Sequence, residues 1–219
     1  MATIDLYEAM STLRAVRRLR PDPIPDDVLR RVVQAATWAP SGGNRQAWRV
    51  IMVKDQERRR RLGELYQRVA TPFISSYSGR LAALPESERA QTEKMIRSGL
   101  YLTEHFGDAP VLGIFCFHPD GLAVTDAKLD RVSVVGGGSI YPAVQNFLLA
   151  CRAEGLGCTL TTLLCIAEPE VRELLKIPQP WATAAAIPIG YPQFRGHGPI
   201  SRRSVEEMAF TDSWEQPFA

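Results

Sequence analysis

Two features of the chain have residue types and spacing that suit chemistry: arginines clustered near each end, and one short loop of small residues and amides. Arg14, Arg17, Arg18 and Arg20 crowd the end of a first predicted helix, where Arg14 and Arg17, three apart, face a common anion. A guanidinium presents a planar fork of N–H donors that suits phosphate oxygens. A second pair, Arg202 and Arg203, lies in an irregular tail. Taken alone, either cluster also fits a solvated surface. The loop Ala39-Pro40-Ser41-Gly42-Gly43-Asn44-Arg45-Gln46-Ala47-Trp48 is more informative. Its glycines let a flat ring approach the backbone. The amides of Asn44 and Gln46 donate and accept at once, as the edge of a heteroaromatic ring requires. A plain helix-to-strand turn shares that composition.

Other chemistries find little purchase. His105, His118 and His197 are far apart and lack metal-ligand spacing. Gly136-Gly137-Gly138-Ser139 opens a helix, but a dinucleotide fingerprint would need glycine where Tyr141 stands. No G-x-S-x-G occurs, so hydrolase chemistry has no evident nucleophile. Cys116, Cys151, Cys158 and Cys165 form no C-x-x-C pair and read as small buried residues in a reducing compartment.

The elements that must position these residues follow from periodicity. Leu6, Met10 and Leu13 predict an opening amphipathic helix. Pro21, Pro23 and Pro25 break the chain, and Asp26 is expected to cap a second helix with inner face Leu29, Val32, Val33 and Ala36. Residues 48–53 and 111–117 read as buried strands. The stretch from Gln56 to about Phe106 reads as mostly helical, interrupted at Pro72 and near Leu84-Pro85; the basic run Arg58 to Arg61 reads as a solvated helix face. After the triple glycine, Ile140, Ala143, Val144, Phe147, Leu148 and Cys151 form the stripe of a buried helix ended by Gly155 and Gly157. Cys158 to Leu164 is expected to be extended, Ala167 to Leu175 helical and Thr183 to Ile189 a strand. Alternating helices and strands predict a mixed α/β sheet covered on both faces.

The 219 residues suit one domain with a substantial core, and 26 basic against 24 acidic residues leave a net charge of only +2. That balance predicts neither a nucleic acid partner nor an acidic membrane surface. No window approaches the about 18 continuous apolar residues of a membrane span. The opening Met1-Ala2-Thr3-Ile4-Asp5 lacks a signal-peptide pattern, so the expected location is cytoplasmic.

Four motifs in order carry a family resemblance. Leu13-Arg14-Ala15-Val16-Arg17-Arg18-Leu19 with Pro23-Ile24-Pro25 resembles the N-terminal flavin-phosphate motif of the nitroreductase family. The loop from Ala39 to Trp48 is similar to that family's A-P-S-x-x-N-x-Q-P-W signature. Ala143-Val144-Gln145-Asn146-Phe147-Leu148-Leu149-Ala150 through Gly155-Leu156-Gly157 is similar to its central helix and following turn. Ile189-Gly190-Tyr191-Pro192 and Arg202-Arg203 fall in the expected order, so the resemblance runs from about residue 4 to residue 208.

The resemblance implies an α+β nitroreductase-like fold: one domain over residues 1–219, a central mixed β-sheet flanked by helices, in an intertwined homodimer. A C-terminal arm, about residues 197–219, would pack on the partner subunit. It implies FMN at the subunit interface, with Arg14, Ala15 and Arg17 in the phosphate motif, helped by Arg202 or Arg203. Pro40, Ser41 and Gly42 would approach the flavin of the other subunit. Asn44 and Gln46 would serve as the loop's amide pair, and Thr161, Thr162, Leu163 and Leu164 would bring backbone amides near the flavin N5 edge, where hydride arrives and leaves. Three residues depart from the pattern: Leu13 replaces a commonly basic residue, Ala15 a commonly Ser residue, and Ala47 the usual proline. No side chain need be catalytic, because FMN carries the chemistry. The implied activity is ping-pong: NADH or NADPH reduces the flavin and leaves, then an electron-poor acceptor such as a nitroaromatic or quinone uses the same face. The segment from Tyr66 to Leu102 is a candidate lid, with Phe73 and Tyr77 lining the cleft or packing in the core. Two alternatives stand beside this: another flavin reaction on the same scaffold (desaturation, dehalogenation or flavin fragmentation), or a flavin-binding protein without turnover.

Overall fold

A computed structural model of the chain describes residues 4–79 and 81–218; Met1–Thr3, Arg80 and Ala219, which include both ends of the expected domain and the tip of the expected arm, lie outside them. Four strands build one sheet: β1 (Trp48–Val53), β2 (Val111–Phe117), β3 (Gly157–Cys158) and β4 (Ala182–Gly190), in the order β1-β2-β4-β3. Every pairing among these strands is antiparallel, so the sheet within this chain is not the mixed one expected. The connection between β1 and β2 holds two long helices, α3 (Gln56–Ser78) and α4 (Glu86–His105), packed as a hairpin. Two helices in succession deliver the chain to the end of the sheet where β1 finished, which makes β2 antiparallel.

The remaining helices are α1 (Leu6–Thr12), α2 (Asp26–Thr37), α5 (Tyr141–Ala153), α6 (Glu168–Leu175) and the short α7 (Val205–Met208). Alternation along β2 divides the core. Val111 and Phe115 face a layer with Leu29, Val32 and Ala36 of α2 and Ala143, Val144, Phe147 and Cys151 of α5. Leu112, Ile114 and Cys116 face Leu62, Tyr66 and Ala70 of α3, Leu102 of α4 and Val171 of α6. Phe147, fully buried, meets Phe115 edge-on at 5.4 Å and 89°.

Several local expectations change. Pro72 lies inside α3 without ending it. Its ring removes one backbone donor, a penalty of about 3 kcal/mol, yet Leu62, Tyr66 and Ala70 are buried on the same helix and hold it in register. Asp26 is the first residue of α2 rather than its cap, Pro25 holding the cap position, while Asp5 does cap α1 through its carboxylate, which accepts from the Tyr7 and Glu8 N–H groups. The expected inner stripe of α1 is not inward: Leu6 and Met10 are exposed and Ala9 is the buried residue. The extended run after Cys158 is brief, because Leu163–Ala167 turns as a 3-10 helix.

Candidate functional site

α1 stops at Thr12, and Leu13 already has extended dihedrals. The arginine motif therefore runs as an extended strip rather than along a helix face. The strip docks on the edge of the sheet: the Val16 N–H donates to the Cys158 carbonyl at 2.9 Å and the Arg20 N–H to the Tyr191 carbonyl at 2.8 Å. Buried Val16 fills the space beside Gly157, where a Cβ would lie 2.6 Å from its Cγ1. Glycine is needed there for close approach.

Extended geometry sends Arg14 and Arg17 different ways, which corrects the expectation that a helix would aim both at one anion. Arg14 is exposed and turns toward the tail; its Nη1 lies 3.6 Å from where a Gly198 Cβ would stand. The Gly198 N–H donates to the Thr12 carbonyl at 3.1 Å, pinning the start of the tail to this motif. Arg17 instead turns inward. Its Nη1 donates to Ser98 Oγ of α4 at 3.2 Å, and its Nε is buried with no acceptor among the described residues. Burial lowers the pKa of this guanidinium from its ordinary value, while nearby Tyr66 acts in the opposite direction.

Tyr66 links Arg17 to the loop after β3. Its hydroxyl is 3.2 Å from Thr161 Oγ1, and its ring stacks on Phe106 at 4.2 Å. Burial pushes the phenol pKa up, against the Thr161 hydrogen bond and Arg17, so the hydroxyl stays protonated at neutral pH. Thr161 is fixed by reciprocal backbone bonds with Ala186, of 3.0 and 2.8 Å, and its Oγ1 accepts from the Leu163 N–H at 3.3 Å. Thr162 is exposed, Leu163 half-buried and Leu164 buried in the core. Arg17, Ser98, Tyr66 and Thr161 thus form one polar cluster drawn from four separate segments. Ser98 carried no sequence signal, and Tyr66 stood out only as the start of a possible lid. Phe73 and Tyr77 of that segment meet edge-on at 5.5 Å, Phe73 being exposed, so the pair is not core packing.

The small-residue loop lies elsewhere. It leads into Trp48 at the start of β1, which pairs with Phe117 and through it with Ala182, whereas the arginine strip borders β3 at the Gly190 end of β4. The two parts therefore sit toward opposite corners of one sheet. Gly43, Asn44 and Gln46 all have positive φ, of 58°, 52° and 48°. Hydrogen bonds hold this shape: the Gln46 N–H donates to Ser41 Oγ at 3.0 Å, Gln46 Nε2 to Asn44 Oδ1 at 3.0 Å, and the Gly42 N–H to Ser139 Oγ at 3.0 Å. Ser139, from the glycine-rich turn, is thus a member of this part of the site. Pro40, Gly42, Asn44 and Gln46 remain exposed, with Ser41 half-buried. Asn146 of the central-helix motif donates to the Ala35 carbonyl at 3.2 Å and so ties α5 to α2.

Arg202 and Arg203 are exposed and are not drawn into the Arg17 cluster. Arg202 donates to the Ser201 carbonyl at 2.7 Å, and Arg203 faces Glu207 at 4.0 Å. Among the described residues no group of acids, histidines and cysteines could hold a metal ion, and no helix is long and apolar enough to cross a membrane.

Comparison with known proteins bears on the family and the fold. The Nitroreductase family profile matches residues 12–191. The chain is 29% identical to 5,6-dimethylbenzimidazole synthase of Rhodobacter capsulatus over 213 residues, covering 96% of this chain and 95% of that protein. It is 27% identical over 213 residues to iodotyrosine deiodinase 1 of Rattus norvegicus, covering 96% of this chain and 70% of that protein. The solved structure of oxidised iodotyrosine deiodinase bound to FMN and 3-iodo-L-tyrosine superposes with a TM-score of 0.70 at 21% identity, over 92% of this chain and 96% of that one. With its fold and the greater part of its length matched, the chain belongs to the nitroreductase family.

Proposed function

We propose that the protein is an FMN-dependent oxidoreductase that passes reducing equivalents from NADH or NADPH to an electron-poor acceptor such as a nitroaromatic or quinone. The observation that carries the reading is the Arg17 guanidinium, held by Ser98 beside Tyr66 and Thr161 with a buried Nε that lacks an acceptor. A buried donor without a partner costs about 1–3 kcal/mol, which a ligand acceptor would recover. The residues fit FMN, which two solved relatives hold by name. Exposed Arg14, next to the tail that carries Arg202 and Arg203, suits the phosphate; Ala15 offers no hydroxyl there. Arg17, with the backbone from Thr161 to Leu164, suits the polar edge of the ring. When bound, FMN would supply the redox chemistry of hydride transfer at its N5.

The chain's own residues bind and orient. Arg17, inward and half-buried, would place a positive charge beside the edge of a bound flavin ring. Tyr66, neutral, keeps Thr161 in place through the hydrogen bond between their hydroxyls. Pro40, Ser41, Gly42, Asn44 and Gln46, at the far corner of the sheet, would serve the second flavin of a homodimer. Exposed Leu6, Tyr7, Met10, Trp38 and Trp214 support self-association, with the arm from about residue 197 packing on the partner. The expected compartment remains the cytoplasm.

A second reading is another flavin reaction on the same scaffold, such as reductive dehalogenation or flavin fragmentation, favoured by the names of the relatives that match nearly the whole chain. The visible spectrum, recorded anaerobically before and after adding NADH or NADPH, tests the proposal. A flavin spectrum that bleaches supports the reductase. Bound flavin that neither nucleotide bleaches points to the second reading, and a protein that cannot take up FMN refutes both. Arg17→Ala should loosen FMN by about 10-fold or more, the value of one charge-assisted hydrogen bond, with folding intact.

A further inference from the structure

Four cations line one cleft of about 380 Å³ between the arginine strip, α4 and the start of the tail: Arg17, Arg18, Lys94 and Arg97. Lys94, Arg97, Ser98 and Tyr101 recur at helical spacing and share one face of α4. No Asp or Glu lines the cleft, and among the described residues none of the four cations has an ion pair. In a protein whose basic and acidic residues nearly balance, four uncompensated cations in one concavity are not a composition effect. Two are held in place: Arg18 lies over the Tyr101 ring at 3.8 Å, and Arg17 donates to Ser98 at 3.2 Å. Phe194, a residue 69% exposed, borders the same cleft.

We infer that the part of this cleft formed by Arg18, Lys94 and Arg97 is an anion subsite for a phosphate monoester on the small-molecule substrate, bordering the cofactor site at Arg17 and separate from the anchorage proposed for the cofactor phosphate at Arg14 and the tail arginines. The inference rests on the oxidoreductase reading above. A monoester near charge −2 makes use of several cations at once, where a single carboxylate would need only one. Phe194 adds an exposed flat face for a base attached to the phosphorylated sugar. The volume suits one such moiety rather than a whole dinucleotide. Two sources supply this chemistry: the adenosine 2′-phosphate that distinguishes NADPH from NADH, and the terminal phosphate of a phosphorylated acceptor.

The test uses the flavin-loaded protein and calorimetric titration with 2′,5′-ADP and with 5′-AMP, in the wild type and in the double variant Lys94→Gln/Arg97→Gln. The expected result is that 2′,5′-ADP binds about 10-fold or more tightly than 5′-AMP and that the variant abolishes the difference. The NADPH-to-NADH ratio of kcat/KM then falls by a similar factor. Equal binding of the two nucleotides, weakened alike in the variant, would keep the phosphate subsite and assign it to a phosphorylated acceptor. Wild-type binding of both nucleotides by the variant would overturn the inference. Loss of flavin from the variant would also overturn it, because the cleft would then belong to the resident cofactor. Failure of the wild-type flavin to bleach with either nicotinamide would count against the oxidoreductase reading alone, leaving the binding comparison readable.

Discussion

Replacing Gly157 by alanine tests whether docking of the arginine strip, and not only its composition, builds the site. The new methyl would stand 2.6 Å from Val16 Cγ1, 2.9 Å from Val16 Cβ and 3.0 Å from Leu19 Cδ2. Carbon atoms rest about 3.5–4.0 Å apart, so the strip must retreat by roughly 1 Å. Val16 is buried and its N–H is bonded to the Cys158 carbonyl, so the retreat strains that hydrogen bond and carries Arg14 and Arg17 with it. Overpacking of this kind costs about 1–3 kcal/mol. Urea denaturation should register that loss, and FMN retention should fall by about 10-fold, since charge-assisted contacts weaken steeply with misplacement. Val16→Ala alone should destabilise by about 1–3 kcal/mol through the cavity it leaves. Combining the two should recover part of both losses, giving a coupling energy of about 1 kcal/mol or more. Additive losses in the double variant would refute the claim that the two side chains compete for one space. A Gly157→Ala protein with normal stability and normal flavin retention would refute the docking argument altogether.

Other consequences follow from burial. Cys116 and Cys151 are buried, and burial pushes the Cys116 thiol up to about 12 and the Cys151 thiol well above its usual range; both should resist alkylation at pH 8 until denaturant is added, as read by mass spectrometry of labelled peptides. Labelling of either in native buffer would contradict the packing. His197, whose Nε2 lies 3.0 Å from the Leu156 carbonyl, has its pKa lowered mainly by burial. The unfolded chain therefore binds this proton more readily than the folded one. Stability contributed by the neutral ring is full above the ordinary histidine value of about 6.5 and is lost as pH falls below it. Thermal midpoints across pH 5 to 8 should show this loss reduced in His197→Asn; an unchanged profile would remove His197 as the cause.

Much of the scaffold was legible because local pattern and tertiary demand agree. The stripe from Ala143 to Cys151 is the buried face of α5, and the apolar run at 111–117 is β2, covered on both faces. The loop signature was legible too, since Gly43 and Asn44 are the residue types that tolerate positive φ. Long-range packing decided the rest. Nothing local ends α1 before Arg14; the strip becomes extended because Val16 and Arg20 find backbone partners on Cys158 and Tyr191. Pro72 promised a break, but the burial of Leu62, Tyr66 and Ala70 in the turns before it outweighs the missing donor. The Arg17 cluster joins residues 81 positions apart in the chain at Ser98 and 95 apart between Tyr66 and Thr161, a distance over which spacing carries no information.

The loop from Pro40 to Gln46 gives an independent reason to divide the site between two corners of the sheet. Asn44 and Gln46 both adopt left-handed backbone, which asparagine tolerates but which costs a residue such as Gln46 about 1–2 kcal/mol. Neither side chain is buried, so core packing does not offset that cost. The shape is maintained instead by Ser41 Oγ, Ser139 Oγ and the contact of Arg49 Nη1 with the Gln46 carbonyl at 3.1 Å. Strain sustained by a dedicated set of hydrogen bonds on an exposed loop fits a binding surface better than a connection. The Arg17 cluster, at the other corner, is likewise incomplete, with a buried donor left over. An exposed loop held in shape by hydrogen bonds and a half-buried cluster with a donor left over fit the proposed homodimer, in which each site would be closed by residues of two copies.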